Sequence, residues 1–500
     1  MPRVKVIVLS MGLALAGLVT ILVFQGKRPV EGGELVLHCA AGLRKPVAEI
    51  ARAYTAEVGQ PVRLNYGPSG GLEVALEVAG GDLYLPADVS YIESTRKKGL
   101  TEESIPAAYL FGGIAVAKGN PARIESLSDL AKPGVKVVLA NPEAAVGKFT
   151  RKVLAAAGLE TSIVANVIVT KPTVNEVTEA VELGLADAGI VWDAVAAQYS
   201  NVDFVHVPEF DAKRKEASIA VLTSSSNPTA ALRFARFLTA SDRGLPFFAK
   251  HGFKIGAGDK WAPTPRLTFF SGSMLRPAIE KQLAAFQKRE GVEVSVIFEG
   301  CGTLVSQMKA GAKPDAYFSC DTKFLDMVQD RFAPGTIVTS NQMVFLVPKG
   351  NPKQIDDLAN LAKRRLKIGI AHPEKSALGD LTIGLLKRLG LHEALEASGN
   401  IEIYASKGDD LVNLMQIGAL DAAIVYRSNA NASPPILENC DIVDIDDPDA
   451  FATQPFAISL KSDFPHLSKR LQEALTGNAG KTSFLKYGFS WKMPAGSTAP

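Results

Sequence analysis

Histidine, cysteine and tryptophan are scarce in this chain: six, four and three among 500 residues. Cys39, Cys301, Cys320 and Cys440 form no C-x-x-C pair and have no zinc-like spacing, so neither a disulfide framework nor a metal centre is indicated. A buried, unreactive thiol is the expectation for each. His38, His251, His372 and His392 do not cluster by spacing. No H-E-x-x-H, no Ser-His-Asp pattern and no nucleotide loop is present. Cys39 beside His38 is the single tempting nucleophile, but neighbours on a strand point to opposite faces. No catalysis, cofactor or metal is therefore expected. A strong charge of either sign is also missing. The net charge of +2 offers no argument for nucleic acid or an acidic partner. The densest basic run, Lys213-Arg214-Lys215, reads as a solvated loop.

One long apolar run is present. Val6 to Phe24 is 19 residues without charge, enough to cross a bilayer as a helix. Arg3 and Lys5 precede it, as in a secretory signal. The first cysteine is Cys39, too far on for a lipoprotein anchor. An uncleaved signal anchor is expected, with a cleaved peptide as the alternative, and export of the rest to the periplasmic or extracytoplasmic face of the inner membrane.

The remainder says nearly the same thing twice. Lys118-Gly119-Asn120-Pro121 returns 231 positions on as Lys349-Gly350-Asn351-Pro352, and Asn141-Pro142-Glu143 returns as His372-Pro373-Glu374. Asp187-Ala188-Gly189-Ile190-Val191-Trp192 returns as Asp421-Ala422-Ala423-Ile424-Val425-Tyr426, 234 positions on. A small drift in offset is what loop insertions produce. A tandem duplication follows: anchor and linker 1–33, unit one 34–255, linker 256–265, unit two 266–491, and a tail 492–500.

Each unit alternates apolar runs, small-residue loops and helical patterns, the sign of an α/β fold built on a parallel sheet. In unit one Leu35–His38 reads as a strand, Pro46 opens a helix, and a second strand leads into Gly67-Pro68-Ser69-Gly70. The pattern restarts after Gly119-Asn120-Pro121, as a second lobe would, and Ser218–Leu222 returns to the first. The expected fold class is α/β: two tandem units, each of two α/β lobes with a hinged cleft, plus the N-terminal transmembrane helix.

The loops between strand and helix carry the chemistry. Helix starts present free N–H groups and the positive end of the dipole, so anions bind there without a cationic side chain. Candidates are Ala41-Gly42 and Ser69-Gly70 in unit one, and Gly272-Ser273 and Cys301-Gly302 in unit two. Merely tight strand-to-helix turns are the alternative. Arg44, Lys45 and Arg276 follow the first loops and are expected to point to solvent. Asp88 and Asp321 are expected to cap the helices after them.

In motif order the chain resembles the periplasmic molybdate-binding proteins of ABC transporters, a resemblance that implies two type II periplasmic-binding-protein-like units in tandem. The resemblance rests on Ala40-Ala41-Gly42-Leu43, Gly67-Pro68-Ser69-Gly70, Ala87-Asp88, a Lys118–Pro121 hinge motif, Asn141-Pro142-Glu143 and the Trp192 strand, and on their counterparts in unit two. It implies an oxyanion such as molybdate, tungstate or sulfate, held by neutral donors, and an ABC permease as partner. The implied binding residues are Ala41, Gly42, Ser69, Gly70, Ala145 and Trp192, then Gly272, Ser273, Cys301, Gly302, Ser376 and Tyr426. The chain departs from the family pattern: Gly42 and Cys301 stand where serines are expected, and Trp192 where a tyrosine is. An anchored ligand-sensing module of the same fold is the alternative function.

Overall fold

The computed structural model describes residues 33–211, 214–363, 365–432 and 434–492. The apolar run at 6–24 lies outside them. Among the described residues no helix is long and apolar enough to cross a membrane. The chain divides between Ala257 and Gly258 into two compact units.

Unit one contains two five-stranded sheets. The first runs in the order Val62–Gly67, Leu35–Ala40, Leu83–Leu85, Lys215–Leu222, Thr101–Leu110. The second runs Val167–Lys171, Val137–Ala140, Ala188–Trp192, Gly112–Ala117, Val202–Val205. Three strands at one side of each sheet are parallel. The strands that carry the chain between lobes enter antiparallel. The sheets are thus mixed, which corrects the purely parallel expectation. A strand leaving one sheet for the other needs no helical return, so nothing forces it into the parallel direction.

The first crossing between lobes is abrupt. Strand Thr101–Leu110 ends and Gly112–Ala117 begins with only Phe111 between them. The Phe111 amide donates to Asp193 Oδ1 at 3.1 Å, and its carbonyl accepts from the Asp193 amide at 2.9 Å. In unit two the equivalent strand, Thr336–Pro348, runs unbroken for 13 residues and joins the strands of both lobes into one ten-stranded sheet.

Lys118–Pro121 is not a hinge. It is the turn at the far end of the strand that begins at the crossing. Asn120 adopts φ +48° and its side chain both accepts from the Ile124 amide and donates to the Ile124 carbonyl, each at 3.0 Å. Asn351 repeats this with φ +45° and the same two bonds to Ile355. Lys118 pairs with Asp203 and Lys349 with Asp441. The sequence repeat is conspicuous here because asparagine suits the left-handed conformation and closes its own turn.

The expected linker packs on unit two. Asp259, 7% exposed, accepts from the His466 and Leu467 amides and so closes the start of helix Pro465–Thr476.

Replacing Asn120 or Asn351 by alanine strands an ordinary residue in the left-handed region and removes two hydrogen bonds. Each change is expected to cost about 1–2 kcal/mol. The check is the denaturant midpoint, and similar losses are expected from the two positions.

Candidate functional site

Between the lobes of unit one lies a cavity of about 20 Å³. Its wall comes from Ala40–Gly42, Gly67–Ser69 and Ala87 of the first lobe, and from Ala144–Val146, Thr173, Val174 and Trp192 of the second. Four helical starts meet there. The 3₁₀ turn Ala41–Leu43, and helices Ser69–Ala79, Ala145–Ala157 and Val174–Glu182, all place their first residue on the cavity. The first amides of a helix have no carbonyl one turn back, so they converge on this space with the positive ends of their dipoles.

The side chains that line the wall are neutral. Ser69, 1% exposed, accepts from the Ala87 amide through Oγ at 3.2 Å, which leaves its hydroxyl proton free to donate. Its carbonyl accepts from the Tyr84 hydroxyl at 2.7 Å, which fixes the turn. Trp192 stacks on Phe149 at 5.4 Å and brings Cδ1 within 3.9 Å of where a Gly42 Cβ would stand.

The cations expected to face outward do so. The Arg44 guanidinium lies over the Tyr66 ring, Lys45 donates to the Gln198 carbonyl, and Arg276 pairs with Glu280. Asp88 accepts the Ser90 amide, and Asp321 accepts those of Lys323 and Thr453, so both act at helix starts. Cys39 is fully buried and burial pushes its thiol well up, while His38 bonds the Gly80 carbonyl. Nothing in that pair serves a nucleophile.

Five of the six residues expected in unit one line the cavity: Ala41, Gly42, Ser69, Ala145 and Trp192. Gly70 does not. Its amide donates across the cleft to the Glu143 carbonyl at 2.7 Å, and a Cβ there would lie 2.9 Å from that oxygen. Sequence reasoning missed Thr173 and Val174. Thr173-Val174-Asn175-Glu176 carries a capping-box spacing, and Thr173 does accept from the Glu176 amide; that signal could have found them.

Unit two has the same frame: 3₁₀ turn Ser273–Leu275 and helices Cys301–Lys309, Ala377–Arg388 and Gly408–Gln416. Ser376 precedes the third of these as its N-cap. Gly272 (φ −56°, ψ 134°) matches Ala40 (φ −55°, ψ 133°), so Ser273 corresponds to Ala41 and not to Gly42. Gly302 meets the facing lobe, where a Cβ would stand 2.0 Å from the Glu374 carbonyl oxygen. Tyr426 is buried, and its hydroxyl has no hydrogen-bond partner among the described residues.

Cys301 is not the thiol donor expected. It forms a disulfide with Cys320, and the expectation of four separate thiols is wrong for this pair. The two cysteines end up adjacent because helix Cys301–Lys309 and strand Ala316–Phe318 return the chain beside the first strand. That proximity belongs to the sheet order and leaves no mark in their spacing.

A two-lobed frame that turns helix starts and small residues toward a shared cleft defines a solute-binding protein. The particular family follows from comparison: the chain belongs to the bacterial extracellular solute-binding proteins, whose family model matches residues 35–254 and again 267–490. The molybdate-binding protein ModA of Mycobacterium bovis is 31% identical over 250 residues, spanning 47% of this chain and 93% of that protein. ModA of Escherichia coli is 28% identical over 191 residues, 35% of this chain and 71% of that one. Among solved structures, the periplasmic molybdate-binding protein of Azotobacter vinelandii is similar at 17% identity and a TM-score of 0.38, covering 44% of this chain and 99% of that one. Relatives that span half of this chain agree with a duplication. The family binds solutes and is not enzymatic.

Two measurements check this geometry. Alkylation of the denatured, non-reduced chain should modify two cysteines, Cys39 and Cys440, and four after reduction. Replacing Gly70 by alanine should part the lobes of unit one, seen as faster amide hydrogen exchange at 69–72 and 143–147.

Proposed function

We propose that the chain is an exported solute-binding protein that closes on a small oxyanion (molybdate, tungstate or sulfate) and delivers it to an ABC permease. Residues 6–24 tether it to the membrane in this reading. The observation that carries it is the cavity of unit one, where four helical starts converge and no charged side chain lines the wall. Helix-start amides gathered around one small space suit a dianion better than any neutral or cationic solute. The molybdate-binding relatives point the same way.

The donor set also predicts what is refused. Amides, a serine hydroxyl and an indole N–H donate, and the Ser69 oxygen already accepts from Ala87. An oxyanion that keeps a proton, such as hydrogen phosphate, would have to share the Ser69 and Thr173 oxygens, each of which already accepts from an amide. Closure would follow binding through the crossing near Phe111, because the ligand contacts both lobes only when they meet.

Molybdate, tungstate or sulfate should raise the melting temperature of the chain, and phosphate should raise it far less. Absence of a shift with all three at millimolar concentration would overturn the reading. Ser69→Ala should weaken binding by about ten- to a hundredfold in calorimetry, the range for one hydrogen bond to a charged group.

A further inference from the structure

We infer that only unit one takes the oxyanion, and that unit two lacks the hydroxyl donor and the lysine that flank this cleft, so the whole chain binds one solute. The inference rests on the oxyanion reading above. Three pairs of equivalent positions carry it.

The first is the turn after the opening strand. Gly42 has no room for a side chain in unit one, where even a Cβ would lie 3.0 Å from Val174 Cγ1 and 3.2 Å from Val195 Cγ2. The matched turns place Met274 at this position in unit two, 3% exposed. Gly408 and Asn429 stand where Val174 and Val195 do, so the facing lobe has given up bulk there. A long flexible side chain takes up room that those valines fill in unit one.

The second is the hydroxyl donor. In unit one Ser69 Oγ accepts from the Ala87 amide and keeps a proton to give. In unit two the Cys320 amide meets Cys301 Sγ at 2.9 Å, and the two sulfurs are bonded to each other. The backbone link survives, but a disulfide has no proton to offer. The bridge also presses on the first loop, since a Cβ at Gly272 would stand 2.4 Å from Cys320 Sγ.

The third is charge. Lys148, on the helix that begins at Ala145, sits over the Tyr91 ring at 4.5 Å across the cleft. Asp380 holds the same place on the helix that begins at Ala377, and reaches across to Lys323 at 2.7 Å. Asp321 lies nearby and is pushed up by burial. Both carboxylates push the buried Tyr426 hydroxyl further up than burial alone does. Asp88 stands in unit one where Asp321 does, so the difference lies at one place: a dianion in unit two would meet the Asp380–Lys323 ion pair where unit one offers the Lys148 ammonium.

The test is calorimetry of the full, non-reduced chain with sodium molybdate. One molybdate per chain is expected. Affinity should fall at least about tenfold in Ser69→Ala, and binding should be lost in Gly42→Met, which copies unit two's own residue into unit one. Asp380→Asn should leave the affinity within about twofold, because rim charges far from the ligand are screened. Two molybdates per chain, or a single site that survives both unit-one variants, would overturn the inference and leave the oxyanion reading standing. No binding of any oxyanion would overturn both. Should Gly42→Met fail to fold, Ser69→Ala still decides which unit holds the site.

Discussion

The closest main-chain contacts between lobes fall where the facing residue has no side chain, and both clefts depend on them. In unit one the Gly70 amide donates straight to the Glu143 carbonyl. In unit two a Cβ at Gly302 would stand 2.0 Å from the Glu374 oxygen, and one at Gly300 would stand 2.4 Å from that of Lys375. These contacts bring the starts of helices from opposite lobes to within reach of one small space. Any larger residue at those positions would hold the lobes apart, and the amides of Ala145 and Ser69 would face water instead of one another's pocket.

Once the lobes are that close, the nature of the cleft turns on very few atoms. Gly42, Ser69 and Lys148 leave unit one a small space with donors around it and a positive rim. Met274, the Cys301–Cys320 bridge and Asp380 occupy the matching places in unit two. The frame is otherwise shared down to single torsions, as the two asparagine turns and the two 3₁₀ turns demonstrate. Duplication of a fold therefore carries no guarantee of duplicated chemistry, because the fold positions backbone dipoles while side chains decide whether a solute can reach them.

Much of this was legible in the residue order. The doubling could be read because Lys-Gly-Asn-Pro and the Trp192 and Tyr426 strands do local work: asparagine in a left-handed turn and apolar runs in buried strands impose nearly the same residues each time. Four cavity residues of unit one, Ala41, Gly42, Ser69 and Ala145, fit what a close-packed helix start needs, small residues between a strand and a helix, whereas Trp192 is named through the family resemblance. What went unread depended on distance. Nineteen residues separate Cys301 from Cys320, and only the parallel pairing of Ala316–Phe318 beside the opening strand brings them together. The Lys118–Pro121 motif was taken for a hinge, whereas the crossing lies at Phe111, a residue with no turn chemistry of its own.

The sequence by itself determined that there are two units, that each alternates strand and helix, and that small residues mark the helix starts, since each of these is written in short-range periodicity and turn preference. Tertiary structure alone decided which starts share a cavity, which cysteines bond, and which lysine or aspartate stands at the rim. Those outcomes depend on how strands far apart in the chain pair and on how closely two lobes approach, and no local stretch of residues encodes either.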